Sequence, residues 1–146
     1  MKKYSVDEFL VAGLSGRVRN DDPAAIGSLW EAFRSRDLRA EIGDTASQDV
    51  YCIYHNYDGG FSDPFQMTIG YRVPAEINLP SSMHCTKVPA QNVVAFSAEG
   101  SQPNTLISQW QAIWQSDLDR AYLADYDVYD AKNSNLVTVH VGLATS

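Results

Sequence analysis

Six residues toward the C-terminal end of the chain, Asp125-Tyr126-Asp127-Val128-Tyr129-Asp130, mix carboxylates with aromatic rings at strand-like spacing. Strand alternation puts Asp127 and Tyr129 on one side and Tyr126, Val128 and Asp130 on the other, so a face turned inward must take a carboxylate. A buried carboxylate costs free energy unless it is paired or protonated. Among aromatic faces, the partner that suits it is an organic cation. Ring quadrupoles attract positive charge by roughly 0.5–2 kcal/mol per good contact, and the carboxylate supplies the counter-ion. The rings available are Trp30, Phe33, Trp110 and Trp114 on helical stripes and Tyr54 and Tyr129 on strands. With Asp127 they form the candidate ligand site. The same pattern also describes an ordinary core, in which rings at helical spacing pack on a sheet.

Other chemistries find less support. His55, His84 and His140 stand in no HExxH or Cys/His arrangement, so no metal or other cofactor is expected. The GLSG run at 13–16 is not a nucleophile elbow, and no glycine-rich phosphate loop is present. Gly59-Gly60 reads as a turn between strands. Cys52 shares a strand side with Tyr54 but has no identifiable activating base, so no catalytic residue is assigned. A small-molecule hydrolase, with Asp127 as general base assisted by Tyr54 or Tyr129, is the competing reading and requires a raised carboxyl pKa. An interaction module that inhibits a nucleic-acid enzyme through its acidic surface is the third.

The elements that must position these groups are written twice. SLWEAFRSRDL at 28–38 and SQWQAIWQSDL at 108–118 share Ser, Trp, Ala, Asp and Leu at a constant offset of 80. Ile26, Leu29, Trp30 and Phe33, and Leu106, Trp110, Ile113 and Trp114, fall on single helical faces. Asp22 before Pro23 is an N-cap with a first-turn proline, and Pro103-Asn104-Thr105 is expected to start the second helix in the same way. FLVAGLSGRV resembles NVVAFSAEG ahead of the helices, VYCIYHNY matches YDVYDAKN after them, and QMTIGYRV and LVTVHVGL close the two halves. Each half reads strand, helix, strand, strand, with the junction in PAEINLPSS at 74–82. The expected fold is α+β: duplicated units forming a mainly antiparallel sheet, with two helices over one face and a groove between them. Residues 1–146 read as a single domain, with pseudo-repeat halves at about 1–80 and 81–146, each too small to fold alone.

Composition bounds the partners. The 146 residues carry a formal net charge of −7, with 45% hydrophobic and 20% charged residues. That balance opposes direct nucleic-acid binding, which needs dense Lys and Arg; Arg17, Arg19, Arg34, Arg36 and Arg39 are diluted by acids. No stretch has the length of a membrane span or a secretory signal, and Cys52 and Cys85 suit reduced thiols in a cytoplasmic protein.

Three stretches, VYCIYHNYDGGFSDPFQMTIGYRV, VPAQNVVAFSAEG and WQAIWQSDLDRAYLADYDVYD, together resemble in order the GyrI-like effector-binding domains, also of the AraC type. Within these the chain is most similar to the stand-alone integron-cassette-associated effector-binding proteins. Gly70-Tyr71-Arg72-Val73, Pro89-Ala90 with Gly100, and Asp125 to Tyr129 carry the match. The resemblance implies a pocket for amphipathic cationic, drug-like compounds, a place in transcription regulation or drug response without a DNA-binding domain, and a possible protein partner or homodimer. It also implies that Asp127 stands where relatives usually have a glutamate, and Gly142 where they commonly have a proline. Some relatives hydrolyse toxic small molecules, which keeps the enzyme reading open.

Overall fold

The computed structural model describes residues 2–59 and 62–144. Gly60, half of the expected Gly59-Gly60 turn, lies outside them. The first half contains β1 (Lys2–Val6), β2 (Phe9–Val18), α1 (Pro23–Arg34), α2 (Leu38–Ile42), β3 (Val50–His55) and β4 (Phe65–Val73). The second contains β5 (His84–Val88), β6 (Gln91–Glu99), α3 (Asn104–Trp114), β7 (Ala124–Tyr129) and β8 (Leu136–Gly142). All eight strands join one antiparallel sheet in the order β1-β6-β8-β7-β3-β4-β2-β5.

That order is unchanged when the halves are exchanged, which is the signature of the duplication. The axis runs between β3 and β7, where Cys52 faces Asp127 directly. The two units of strand, helix, strand, strand are present as expected, and each also opens with a further short strand. These opening strands cross over: β1 pairs with β6 of the second half and β5 with β2 of the first. The exchange ties each half into the other. β2 and β4 pass so close at Gly13 and Gly70 that a Cβ on Gly13 would stand 2.0 Å from the Ile69 carbonyl oxygen, so only glycine fits there.

The helices start for different reasons. In α1, Asp22 caps by accepting from the Ala25 N–H at 3.2 Å, and Pro23 occupies the first turn. The expected Pro103-Asn104-Thr105 start of α3 is corrected: Pro103 is the N-cap residue and offers no side-chain cap. Gln102 substitutes, accepting from the Leu106 N–H at 3.2 Å while its amide donates to the Ala98 and Asn135 carbonyls. Proline carries no side-chain acceptor, so the capping task moves to the preceding residue. Both helices lie on one sheet face. Phe33, Leu38, Met67 and Ile69 anchor the core under α1, and Leu106, Trp110, Ile113, Val137 and Val139 the core under α3. Tyr54 and Tyr129 touch both clusters and bridge them along the axis.

The scattered arginines form no basic patch. Arg17 pairs with Asp58, Arg19 with Asp21, Arg34 with Glu31 and Arg36 with Glu41, while Arg39 donates to the Ser47 carbonyl. No helix among the described residues is long and apolar enough to cross a membrane, and Cys52 and Cys85 are free thiols.

Candidate functional site

Between α1 and α3 the sheet floor opens into a cavity of about 490 Å³. α1 contributes Ile26, Gly27, Trp30 and Arg34, and α3 contributes Leu106, Ile107, Trp110 and Trp114. Tyr54, Tyr57, Phe65 and Tyr129 form the aromatic floor. Gly27 is unusual inside a helix, where glycine costs roughly 1 kcal/mol relative to alanine. A Cβ there would meet nothing within 4 Å, so its absence leaves room on the cavity wall.

Of the candidate residues, Trp30, Tyr54, Trp110, Trp114 and Tyr129 line the cavity. Trp30 meets Tyr129 edge to face at 5.0 Å, and Tyr54 meets Trp110 the same way at 5.4 Å. Phe33 lies outside the lining, buried between Trp30 and Tyr71. Asp127 lies beneath the floor and is fully buried. Its two oxygens are divided between two cavity-lining rings: the Trp110 indole N–H donates to Oδ1 at 3.0 Å, and the Tyr54 hydroxyl donates to Oδ2.

Burial pushes the Asp127 carboxyl up to about 7, with the two donors opposing the rise and nearby Asp125 adding to it. Burial, with Asp127 adding to it, holds the Tyr54 and Tyr129 phenols well above their ordinary value. Cys52 is raised by the same two causes. At neutral pH the phenols of the floor therefore stay protonated, and the carboxyl beneath them holds its proton to far higher pH than an exposed aspartate.

The sequence reading missed a second buried acid. Asp125 shares the inner face of β7 with Asp127, as the period of two requires, and is fully buried. It accepts from the Tyr57 hydroxyl at 2.5 Å, the Gly142 N–H at 2.7 Å and Arg120 Nη2 at 2.6 Å. The Gly142 contact gives the glycine near the chain end a role, because a proline there would have no N–H to donate. Arg120 itself lines the cavity and lies over the Tyr122 ring at 4.3 Å and the Trp110 ring at 5.7 Å. It had no signal, since it sits outside any periodic segment. Among the described residues, no group of three or more His, Cys, Asp or Glu gathers in a metal-binding arrangement.

Solved structures share this architecture. An integron cassette protein from the mobile metagenome of Vibrio cholerae is 28% identical, with a TM-score of 0.81 over 98% of this chain and 95% of that one. SAV2435, solved bound to tetraphenylphosphonium, is 10% identical, with a TM-score of 0.73 over 98% and 93% of the two chains. The EcmrR C-terminal domain is 13% identical, with a TM-score of 0.64 over 99% and 97%. These last two likenesses are of fold. No curated protein is significantly similar in sequence. The profile of the integron-associated effector-binding proteins matches residues 4–141, nearly the whole chain, and the chain belongs to that family.

Proposed function

We propose that this protein is a stand-alone, non-enzymatic binding module for lipophilic organic cations, which enter the cavity between α1 and α3. The observation that carries this reading is the connection of Asp127 to two cavity-lining rings, Tyr54 and Trp110. A phenol and an indole donating to a carboxylate gain electron density, so the negative potential of the acid reaches the cavity through their faces. In a dry site that potential is weakly screened. Trp30, Trp114 and Tyr129 supply the apolar walls that a lipophilic body requires. The tetraphenylphosphonium held by SAV2435, a protein of the same fold, is a ligand of this class.

A hydrolase reading draws on the Asp127 carboxyl standing near 7, where a general base works best. Burial of Asp127 beneath Tyr54 and Trp110 argues against it, since a base must come within hydrogen-bond reach of the proton it removes. Binding without turnover suits a sensor or sequestering protein in drug response, and two free thiols suit a reducing cytoplasm.

Trp30, Trp110 and Trp114 report occupancy. Titration with tetraphenylphosphonium is expected to quench tryptophan fluorescence, whereas tetraphenylsilane, neutral and of nearly equal shape, is expected to bind far more weakly. Equal binding of the two overturns the electrostatic part of the reading. Mass spectrometry of compounds recovered after prolonged incubation is expected to find them unchanged, and a product would revive the hydrolase.

A further inference from the structure

The charge of Asp127 accounts for one side of the cavity; the opposite charge of Arg120 does not follow from it. A guanidinium on the wall of a cation site is a liability unless its charge is neutralised and its donors serve a purpose. Neutralisation is achieved by Asp125: the pair is 2.6 Å apart, with the two side chains 6% and 0% exposed. The donors are not all used. Arg120 has five N–H groups in a fixed fork. Nη2 donates to Asp125, Nη1 makes a 3.5 Å contact with the Tyr122 hydroxyl, and Nε is buried with no hydrogen-bond partner. Buried unsatisfied donors cost free energy, more so on a charged group. Asp125, Trp110 and Tyr122 hold the guanidinium in place, so a ligand acceptor meets it without further ordering of the side chain.

We infer that Arg120 is a specificity-determining residue, and that the preferred ligand is a cation carrying a neutral hydrogen-bond acceptor, such as a carbonyl oxygen, on its aromatic body. An anionic substituent fits less well, because Asp125 and Asp127 both lie close by on β7. The cationic part sits over Tyr54 and Trp110, and the acceptor turns toward the unspent donors of Arg120. This rests on the cation-binding reading above and divides the cavity into a cation end and an acceptor end.

Two triphenylphosphonium salts of equal charge and nearly equal shape test it: one with a 4-acetylphenyl group, the other with a 4-isopropenylphenyl group. Calorimetry is expected to show the acetyl compound binding about tenfold more tightly, at the lower edge for a hydrogen bond to a charged group. In the paired variant Arg120→Met with Asp125→Asn, which removes both charges together, the two compounds bind with equal affinity and the preference disappears. Should that variant not fold, infrared spectroscopy of the wild-type complex decides the same question, since an accepted hydrogen bond moves the acetyl C=O stretch to lower wavenumber than in an apolar solvent. Equal wild-type affinities, or an unshifted stretch, overturn the inference and leave cation binding intact. Failure of both salts to bind overturns the two together.

Discussion

Across the axis between β3 and β7 the two halves place different residues in equivalent positions. Taking Cys52 opposite Asp127 as the centre, Val50 of the first half corresponds to Asp125 of the second, Cys52 to Asp127, and Tyr54 to Tyr129. The helices, aligned by Trp30 and Trp110, match Gly27 to Ile107 and Arg34 to Trp114. Duplication thus made a symmetric aromatic chamber, and its buried charges, Asp125, Asp127 and Arg120, all belong to the second half. At these strand positions the first half keeps Val50 and Cys52, whereas the second holds two buried acids, satisfied by Tyr54 and Tyr57 of the first half and by Trp110, Arg120 and Gly142 of its own. Symmetry made the space, and its loss made the space selective.

The largest expected effect comes from removing the charge pair that has no counterpart across the axis. Asp125→Ala leaves Arg120 buried and uncompensated and is expected to cost about 3–5 kcal/mol. Val50→Ala, at the equivalent position, removes only two methyl groups from a half-buried side chain and costs roughly 1–2 kcal/mol. Denaturant unfolding of both variants measures the difference, and similar losses would mean that the Arg120–Asp125 pair contributes nothing particular.

Next comes the pH dependence built into Asp127. In the unfolded chain the carboxyl releases its proton near 3.8, while in the folded protein it keeps the proton until about 7. Between those values the unfolded state binds fewer protons, so this group makes stability fall as pH rises from about 4 to about 7 and stay low beyond. At 1.36 kcal/mol per unit the loss is on the order of 4 kcal/mol. Asp127→Asn removes this component while its amide still accepts from Trp110 and donates to the Tyr54 hydroxyl, which can reverse its role. Melting curves at pH 5 and pH 8 are expected to converge in the variant relative to wild type.

Smaller effects attend Gly27→Ile, which makes α1 resemble α3 at Ile107. The helix gains a few tenths of a kcal/mol in intrinsic propensity, while the cavity narrows and large cations bind more weakly. A tetraphenylphosphonium titration against one with tetramethylammonium separates lost volume from lost charge. Cys52→Ala has the smallest effect on binding: cation affinity is unchanged, because the thiol carries no charge at neutral pH, and about 1 kcal/mol of stability is lost to the small cavity left.

How much of this was legible depended on periodicity. The helices and their flanking strands could be read because Trp30 and Trp110 lie within segments that kept five identities at one spacing. The inward face of Asp127 followed from strand alternation. The same rule applies to Asp125, but alternation gives a side of the strand and not the depth at which a residue lies. The strand exchange was invisible: Lys2–Val6 is short and mostly exposed, without the alternation of a half-buried strand. Arg120 was invisible for another reason. The Asp-Leu pair at 37–38 begins α2, with Asp37 capping through the Ala40 N–H, whereas its repeat at 117–118 leads into irregular chain that carries Arg120 against β7. Identical dipeptides diverged because the fold around them did, and tertiary contact outweighed local pattern. Phe33 shows the reverse limit, since helical spacing cannot distinguish a ring that lines a cavity from one packed beneath it.

The most direct test of the central claim, that the buried charge of Asp127 recognises the cation, is tetraphenylphosphonium affinity in Asp127→Asn beside Asp130→Asn at one ionic strength. Asp130 lies just beyond β7, where it caps a turn through the Lys132 and Asn133 N–H groups. The account predicts a loss of about 1.5–3 kcal/mol, tenfold to hundredfold, for Asp127→Asn, and a change within about twofold for Asp130→Asn, a half-buried turn residue outside the cavity lining. It also predicts that wild-type affinity climbs with pH up to about 7 and then levels, as the proton on Asp127 ceases to compete, and that Asp127→Asn flattens this profile. Equal losses in the two variants, or a pH profile that survives Asp127→Asn, would contradict it.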